Sequence, residues 1–271
     1  ERRYRLAILA LVAGALVKYI PLLLVPAAGL IALRELPTLR ARTLFLVTTA
    51  VAAAAFIAAV YGPFWTGPEI LSMARRQEMY TSSLPAVLVA LRFPDVGWLD
   101  ATREVSRIAG LLTAAYAIFE GFRAMADRSW TSFTRSAFNV LMFYLLVACL
   151  WFWPWYAVWV LCLAPLLPAG WAARLAQTFG IAALAKPLIF APLYGWNQPP
   201  GHDWIWQQIR LGPSVMALPW MVALWGLGQT LARRIEGRLA HSSTEAVPAG
   251  KPAYVTVRTS PRVAARRERE D

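Results

Sequence analysis

Two lysines stand inside long apolar runs of this sequence, where a charged side chain is unusual. Lys18 lies in the run that covers residues 6–33, and Lys186 lies near the end of the run that covers 175–194. A charge inside a membrane is costly, so it usually faces a cavity or a partner. Both ammonium groups are therefore predicted to bind the phosphate of a lipid-linked ligand. The alternative is that each lysine reaches out to the lipid headgroups.

A polar segment at residues 74–83 supplies a second set of groups that suit phosphate and sugar. Arg75 and Arg76 offer planar guanidinium groups that match phosphate oxygens in two places at once. The hydroxyl groups that follow can hydrogen-bond a sugar, and they belong to Tyr80, Ser82 and Ser83. The segment is therefore predicted to bind phosphate through its arginines and sugar through its hydroxyls. The alternative is a solvated helix at the membrane surface.

Aromatic side chains are concentrated in one apolar part of the chain. Trp153, Trp155 and Tyr156 can form a wall for a sugar ring or a prenyl chain. Tyr19, beside the first buried lysine, is predicted to line the same space. The alternative is an aromatic belt at the membrane boundary, where tryptophan and tyrosine are enriched.

Metal and nucleotide chemistry find little support. His202 and Asp203 are adjacent, but no further His, Cys or acidic residue stands at a spacing typical of metal ligands. Cys149 and Cys162 lie in apolar runs without a CxxC spacing, which predicts small buried side chains. Walker, GxGxxG, HExxH and GxSxG motifs are missing from the sequence. We therefore predict no metal site and no cofactor, with a divalent cation as the alternative.

Charge is excluded from a series of long apolar segments, and this pattern predicts an all-α membrane protein. Of the 271 residues, 58% are hydrophobic, and the mean hydropathy is +0.48. A spanning helix needs about 20 mostly apolar residues. The predicted fold is a polytopic transmembrane helical bundle in which Pro21 and Pro26 break the first segment into a hairpin. The segments of this membrane domain, residues 1–231, lie at about 6–33, 43–62, 105–126, 136–151, 155–171, 175–194 and 212–231.

Arginine-rich gaps predict the orientation of these segments. Four groups of arginines fall on one side if the six full spans alternate, and short basic loops stay in the cytoplasm. The residues are Arg34, Arg40, Arg42, Arg123, Arg128, Arg135, Arg174, Arg233, Arg234 and Arg238. Residues 63–104 then form a long outer loop, with a short interfacial helix predicted within 66–92. Residues 232–271 form a basic, disordered cytoplasmic tail.

The net charge of +12, from 27 Lys+Arg against 15 Asp+Glu, does not indicate nucleic-acid binding in this chain. In a soluble protein such a charge suggests nucleic acid. Here the arginines sit mainly in the gaps and the tail, and no basic stripe carries an aromatic platform. We therefore predict no nucleic-acid partner and expect membrane lipids as the surroundings.

Two of the segments described above resemble motifs of the C superfamily of bacterial glycosyltransferases. Residues 16–26 resemble its K-x-x-P-x-L-L-x-x-P helix, and residues 153–159 resemble its P-W-Y-x-x-W helix start. Their order and separation match as well, and the resemblance covers roughly residues 6–170. It implies an enzyme integral to the bacterial plasma membrane. Such an enzyme moves a sugar, most often mannose, from a polyprenyl-phosphate donor to a lipid, glycan or protein acceptor outside the cytoplasm.

The resemblance also implies where the parts of the active site lie. Lys18 would lie near the donor phosphate. The catalytic carboxylate of the family belongs to an early outer loop, and no Asp or Glu of this chain matches it. We therefore expect the catalytic residues upstream of Glu1 and expect this chain alone to be inactive.

Two other interpretations belong to different functional classes. One is a transporter or flippase of a lipid-linked or anionic solute, which would be favoured by an internal repeat of broken helices. Only the short patterns Lys18-x-x-Pro21 and Lys186-Pro187 resemble such a repeat. The other interpretation is a non-catalytic membrane scaffold.

Overall fold

The computed structural model describes residues 3–67, 83–127, 129–150, 152–191 and 212–245. All regular structure in these ranges is helical, which confirms the predicted all-α class. The helices are α1 (Tyr4–Val17), α2 (Val25–Glu35), α3 (Leu39–Tyr61), α4 (Leu84–Val96), α5 (Trp98–Asp127), α6 (Trp130–Phe143), α7 (Val158–Leu161), α8 (Trp171–Ala191) and α9 (Gly212–Glu245). Shorter 3₁₀ turns cover Ile20–Leu24, Gly62–Phe64, Pro154–Ala157 and Ala164–Leu166, and a π turn covers Tyr144–Ala148.

Three helical stretches in the described part of the chain are long and apolar enough to cross a membrane. They are Leu39–Phe64, Trp98–Asp127 and Pro213–Gly237, with 26, 30 and 25 residues. A spanning helix needs about 20 residues, so each exceeds that length. This confirms the prediction of membrane-length apolar helices.

Local sequence sets where several helices begin. Thr38, Ser83 and Ser129 are N-caps, and the hydroxyl oxygen of each accepts a hydrogen bond from a backbone N–H in the first turn of α3, α4 and α6. Such caps satisfy one of the orphan N–H groups at a helix start.

The first apolar segment is interrupted at Lys18, where the sequence predicted a break. The backbone of Lys18 is extended, with φ −155° and ψ 128°, and a 3₁₀ turn separates α1 from α2. Pro21 and Pro26 each stand in the first turn of the next helical piece, where a missing N–H costs little. α1 and α2 fold back on one another, since Ile8 packs in one cluster with Ala28 and Ala32.

Helices α2 and α5 approach closely through small residues. A Cβ atom added to Gly121 of α5 would lie 2.9 Å from Leu30 Cδ1 and 3.2 Å from Ala27 Cα of α2. Arg34 Nη1 also donates to the carbonyl oxygen of Met125 across this contact, at 2.7 Å. The buried face of α5 includes small residues at four-residue spacing, namely Ala109, Thr113, Ala117 and Gly121. This spacing lets two helix backbones approach without side chains between them.

The main core is formed by α6, α8 and the aromatic segment between them, residues 152–159. Phe138, Phe152 and Phe179 are fully buried, and the rings of Phe152 and Phe179 meet edge to face with centroids 5.3 Å apart. Aromatic pairs prefer this geometry over a face-to-face sandwich. The core therefore fixes the start of the aromatic segment against α8.

Residues 155–171 do not form the continuous span that the sequence predicted. They contain three short pieces, Pro154–Ala157, Val158–Leu161 and Ala164–Leu166, before α8 begins at Trp171. Pro165 and Pro168 explain the interruption, because proline has no N–H to donate and clashes with the preceding turn.

The predicted outer loop, in which the sequence predicted only a short interfacial helix within 66–92, contains two helical stretches in its described part. α4 and the first turns of α5 occupy residues 84–104 of the predicted outer loop, with Val89 and Ala90 of α4 buried. Gly97, with φ +80°, makes the turn between these helices, a conformation that only glycine adopts easily. Much of the predicted interfacial helix within 66–92 lies outside the described residues.

Residues 232–245, which the sequence predicted to be part of a disordered tail, are helical. α9 continues to Glu245, because residues 232–245 include several good helix formers, among them Ala, Leu, Arg and Glu. Residues 246–271 lie outside the described part. Residues 227–271 separate as their own unit from residues 1–226.

Candidate functional site

The ammonium group of Lys18 contacts two rings of the aromatic segment. Its Nζ lies 3.6 Å from the ring centroid of Tyr156 and 5.2 Å from that of Trp159. The break after α1 turns the lysine out of the helix and toward these rings. Attraction between a cation and the π face stabilises such a contact by about 0.5–2 kcal/mol, more where water is excluded. Lys18 as a whole residue is half-buried, so part of it stays accessible.

Tyr19 joins the same site through a second aromatic residue. Its hydroxyl oxygen lies 2.6 Å from that of Tyr144, and the two rings meet edge to face. Tyr144 begins the π turn that ends α6. Tyr19 is 60% exposed, so it can contact a ligand while its hydroxyl is held by Tyr144.

The predicted aromatic wall consists of two stacked pairs. Tyr156 stacks on Trp159 with centroids 4.4 Å apart, and Trp153 stacks on Trp155 at 4.6 Å. Pro154 begins the 3₁₀ turn that places these rings. Tyr156 is buried, whereas Trp155 is 61% exposed. The wall therefore has a buried part that contacts Lys18 and an exposed part that can contact lipid or sugar.

Lys186 reaches the other end of the aromatic segment. Its side chain is only 7% exposed, and its Nζ donates to the carbonyl oxygen of Phe152 at 2.8 Å. The same Nζ lies 5.3 Å from the ring centroid of Phe152 and 6.0 Å from that of Trp153. Phe152 in turn meets Tyr156 edge to face at 6.3 Å. The two lysines thus contact opposite ends of one row of rings.

Comparison with family models, curated proteins and solved structures finds no match to this chain. Its function must therefore be argued from the arrangement of its own residues. The central observation is that Lys18, from the first motif segment, contacts Tyr156 and Trp159, from the second.

The hydrogen-bond partner of Lys186 lies inside the protein and indicates a structural role. A lysine that donates to a backbone carbonyl in a buried position helps to hold the fold, and it has little surface left for a ligand. Its predicted role as a phosphate ligand stays a prediction, and we leave it out of the proposed site.

The predicted polar segment is described at one residue only. Ser83 is buried and serves the fold, because its Oγ donates to the carbonyl oxygen of Leu150 at 3.1 Å and accepts from the N–H of Ala86 at 3.3 Å. We therefore leave Ser83 out of the sugar-lining residues. The other members, Arg75, Arg76, Tyr80 and Ser82, lie outside the described residues.

The sequence analysis missed Tyr144 as a member of the site. Tyr144 stands in an apolar run, where its hydroxyl needs a hydrogen-bond partner, and this need was the available signal. Nothing in the sequence indicated the bond from Lys186 to the carbonyl oxygen of Phe152, because any residue type can supply a carbonyl.

The cysteines and acidic residues give no metal site within the described part of the chain. There, no group of three or more His, Cys, Asp or Glu residues is close enough to hold a metal ion. His202 and Asp203 lie outside the described residues. Cys149 is buried as predicted, but Cys162 is exposed, which corrects the prediction that both are buried. Cys162 follows directly after the short α7 and its Sγ contacts the carbonyl oxygen of Trp159, so it lies on the outer side of that turn.

Proposed function

We propose that this chain belongs to a membrane glycosyltransferase that moves a sugar from a polyprenyl-phosphate donor to an extracytoplasmic acceptor. Mannose is the expected sugar, and the acceptor is a lipid, a glycan or a protein. One observation carries the proposal: the ammonium of Lys18 contacts Tyr156 and Trp159. The two segments that carry the family resemblance are far apart in the sequence and meet at this contact.

The chemistry of the site suits a lipid-linked phosphate. An ammonium group has three donors and can bind phosphate oxygens while its alkyl stem packs on the rings. The exposed rings of Tyr19 and Trp155 offer a surface for a prenyl chain or a sugar. Arg75 and Arg76 are proposed to bind the same phosphate, and Tyr80 and Ser82 the sugar.

We further propose an orientation, which rests on the arginine pattern alone. The turn at residues 34–42 and the tail face the cytoplasm, and residues 63–104 face outward, in a plasma membrane protein with a hairpin first segment. Short basic loops are retained in the cytoplasm, whereas long loops cross despite their charge. The donor phosphate then lies at the outer leaflet.

Replacement of Lys18 tests the proposal directly. Lys18→Met keeps most of the unbranched side chain and removes its charge, so we expect weaker binding of a polyprenyl-phosphate mannose by the detergent-solubilised chain. The loss should be about 1.5–3 kcal/mol, the worth of a hydrogen bond to a charged group, which is roughly a tenfold to hundredfold rise in Kd. Lys18→Arg should restore binding in part, because the guanidinium fork is wider than an ammonium.

A control variant tests whether a weaker Kd comes from the loss of Lys18 or from the loss of any positive charge. Arg107 is an exposed arginine of α5 with no role in the aromatic site, and Arg107→Gln should leave the Kd unchanged. Equal affinity in Lys18→Met and the unmodified chain, with both folded, would show that Lys18 is not a donor ligand. Acceptor-independent movement of the intact donor across a vesicle bilayer would favour the transporter interpretation instead.

A further inference from the structure

A polar cavity lies at the turn between α5 and α6, apart from the aromatic site. Its volume is about 260 Å³, and it is located at the end of the candidate span Trp98–Asp127. Its charged and polar lining comes from Glu120, Arg123, Asp127, Ser132 and Arg135. If this helix spans a membrane, its end lies at the depth of the lipid headgroups, and so does the cavity.

Part of this charge is compensated inside the protein. Glu120 is 1% exposed, and its carboxylate forms an ion pair with Arg123. Ser136 Oγ donates to the Glu120 carbonyl oxygen at 2.6 Å and lies 3.3 Å from its carboxylate. A buried charge must be paired in this way to be tolerated. The Glu120–Arg123 pair therefore adds no net charge to the cavity lining.

Two residues of opposite charge in the lining do not belong to this ion pair. Arg135 and Asp127 are both exposed, and neither forms an ion pair within the described residues. The carboxylate of Asp127 accepts a hydrogen bond from Ser129 at 3.1 Å. Among the described residues, these two groups have no ion-pair partner, and a guanidinium and a carboxylate in one cavity complement a ligand that carries both signs of charge.

The surroundings of the cavity indicate a lipid rather than a soluble ligand. Trp130 begins α6 beside the cavity and is 71% exposed. Phe119 and Phe122 of α5 are also exposed and extend the apolar surface. Exposed tryptophan at the end of a membrane helix is typical of the headgroup boundary.

We propose that this cavity binds the headgroup of a zwitterionic phospholipid that carries a primary ammonium. The phosphate contacts Arg135, and the ammonium contacts Asp127. The Glu120–Arg123 pair keeps the cavity polar and adds no net charge. This site is separate from the proposed donor site and does not depend on glycosyl transfer.

Lipid binding to the full chain tests the proposal. The solubilised chain is mixed with phosphatidylethanolamine, phosphatidylcholine or phosphatidylglycerol, and the fraction that retains one lipid is measured by native mass spectrometry. We expect phosphatidylethanolamine to be retained best. A quaternary ammonium cannot donate a hydrogen bond to Asp127, and phosphatidylglycerol has no cation.

Two exposed positions supply variants that leave the buried pair intact. Arg135→Gln should weaken retention of phosphatidylethanolamine roughly tenfold, as expected for a lost charge-assisted contact. Asp127→Asn keeps the acceptor for Ser129 and should abolish the preference over phosphatidylcholine. Arg107→Gln and Asp100→Asn, which replace exposed charges of α5 outside the cavity, should change neither result.

Three outcomes would overturn the proposal. The first is equal retention of all three lipids by the unmodified chain. The second is a preference for phosphatidylethanolamine that survives in both Arg135→Gln and Asp127→Asn. The third is displacement of the lipid by an excess of soluble phosphoethanolamine, which would assign the cavity to a soluble ligand. Resistance to that competition supports a lipid.

Discussion

The two lysines of the apolar runs differ in their surroundings. Lys18 stands at a break in the helix, contacts the rings of Tyr156 and Trp159, and stays half-exposed. Lys186 stands inside α8 and donates to the carbonyl oxygen of Phe152. An accessible ammonium beside a ring can gain a ligand, whereas an ammonium held by a buried carbonyl contributes to stability.

Lys186→Met should therefore destabilise the fold without a large change in donor binding. The substitution removes the donor of the bond to Phe152, and the loss of one partner from a buried hydrogen bond costs about 1–3 kcal/mol. Thermal unfolding of the solubilised chain measures the effect, with Lys18→Met as the matched comparison. A lower Tm with unchanged donor Kd supports the assignment. An unchanged Tm together with a weakened Kd would return Lys186 to the list of phosphate ligands.

At the scale of elements, the contact between α2 and α5 depends on the absence of a side chain at Gly121. Its missing Cβ leaves room for Leu30 and for the backbone of Ala27. In a membrane, helix association relies on close packing more than on the hydrophobic effect, since lipid tails are as apolar as the helices. The positions of Glu120 and Arg123 depend on the same contact, because they flank this glycine on α5.

Gly121→Ala should destabilise the protein, and Gly110→Ala should not. The new methyl group at Gly121 would lie 2.9 Å from Leu30 Cδ1, which must shift, and 3.2 Å from the backbone of Ala27, and overpacking of this kind costs about 1–3 kcal/mol. At Gly110 of the same helix, an added Cβ would meet nothing within 4 Å. Alanine is also the better helix former, so this variant should be neutral or more stable by up to about 1 kcal/mol. Unfolding of both variants in the same detergent compares them, and equal stability would contradict the close contact.

At the scale of the whole molecule, exposed apolar surface is the feature that indicates a membrane. In α3, only 11% of the most apolar stretch is buried, and its exposed residues include Val47, Val51 and Ile57. Contiguous apolar patches mark contact with lipid or with another protein, and the membrane-spanning length of this helix favours lipid. The proposed orientation places the start of α3 on the cytoplasmic side and its end on the outer side.

Single cysteines should report that orientation. In a chain with Cys149 and Cys162 replaced by alanine, we expect Tyr80→Cys to react with a membrane-impermeant maleimide in intact cells. Arg40→Cys should react only after the membrane is permeabilised, because the basic turn at 34–42 is proposed to face the cytoplasm. Labelling of Arg40→Cys in intact cells, with Tyr80→Cys protected, would reverse the orientation.

The sequence by itself determined the all-helical class, the long apolar helix α3 and the break after Lys18. Each of these follows from local chemistry. An apolar stretch in a membrane must satisfy its own backbone groups and therefore forms a helix, and a proline supplies no N–H, so the helix is interrupted. The N-caps at Thr38, Ser83 and Ser129 are local in the same sense.

Only the tertiary structure decided which residues meet. The contact of Lys18 with Tyr156, the bond from Lys186 to Phe152 and the cavity beside Glu120 all join residues from separate helical segments. Such contacts depend on how closely helices pack, and between α2 and α5 the missing Cβ of Gly121 allows the close approach. Burial follows from the same packing, so two lysines in similar apolar runs acquired different partners.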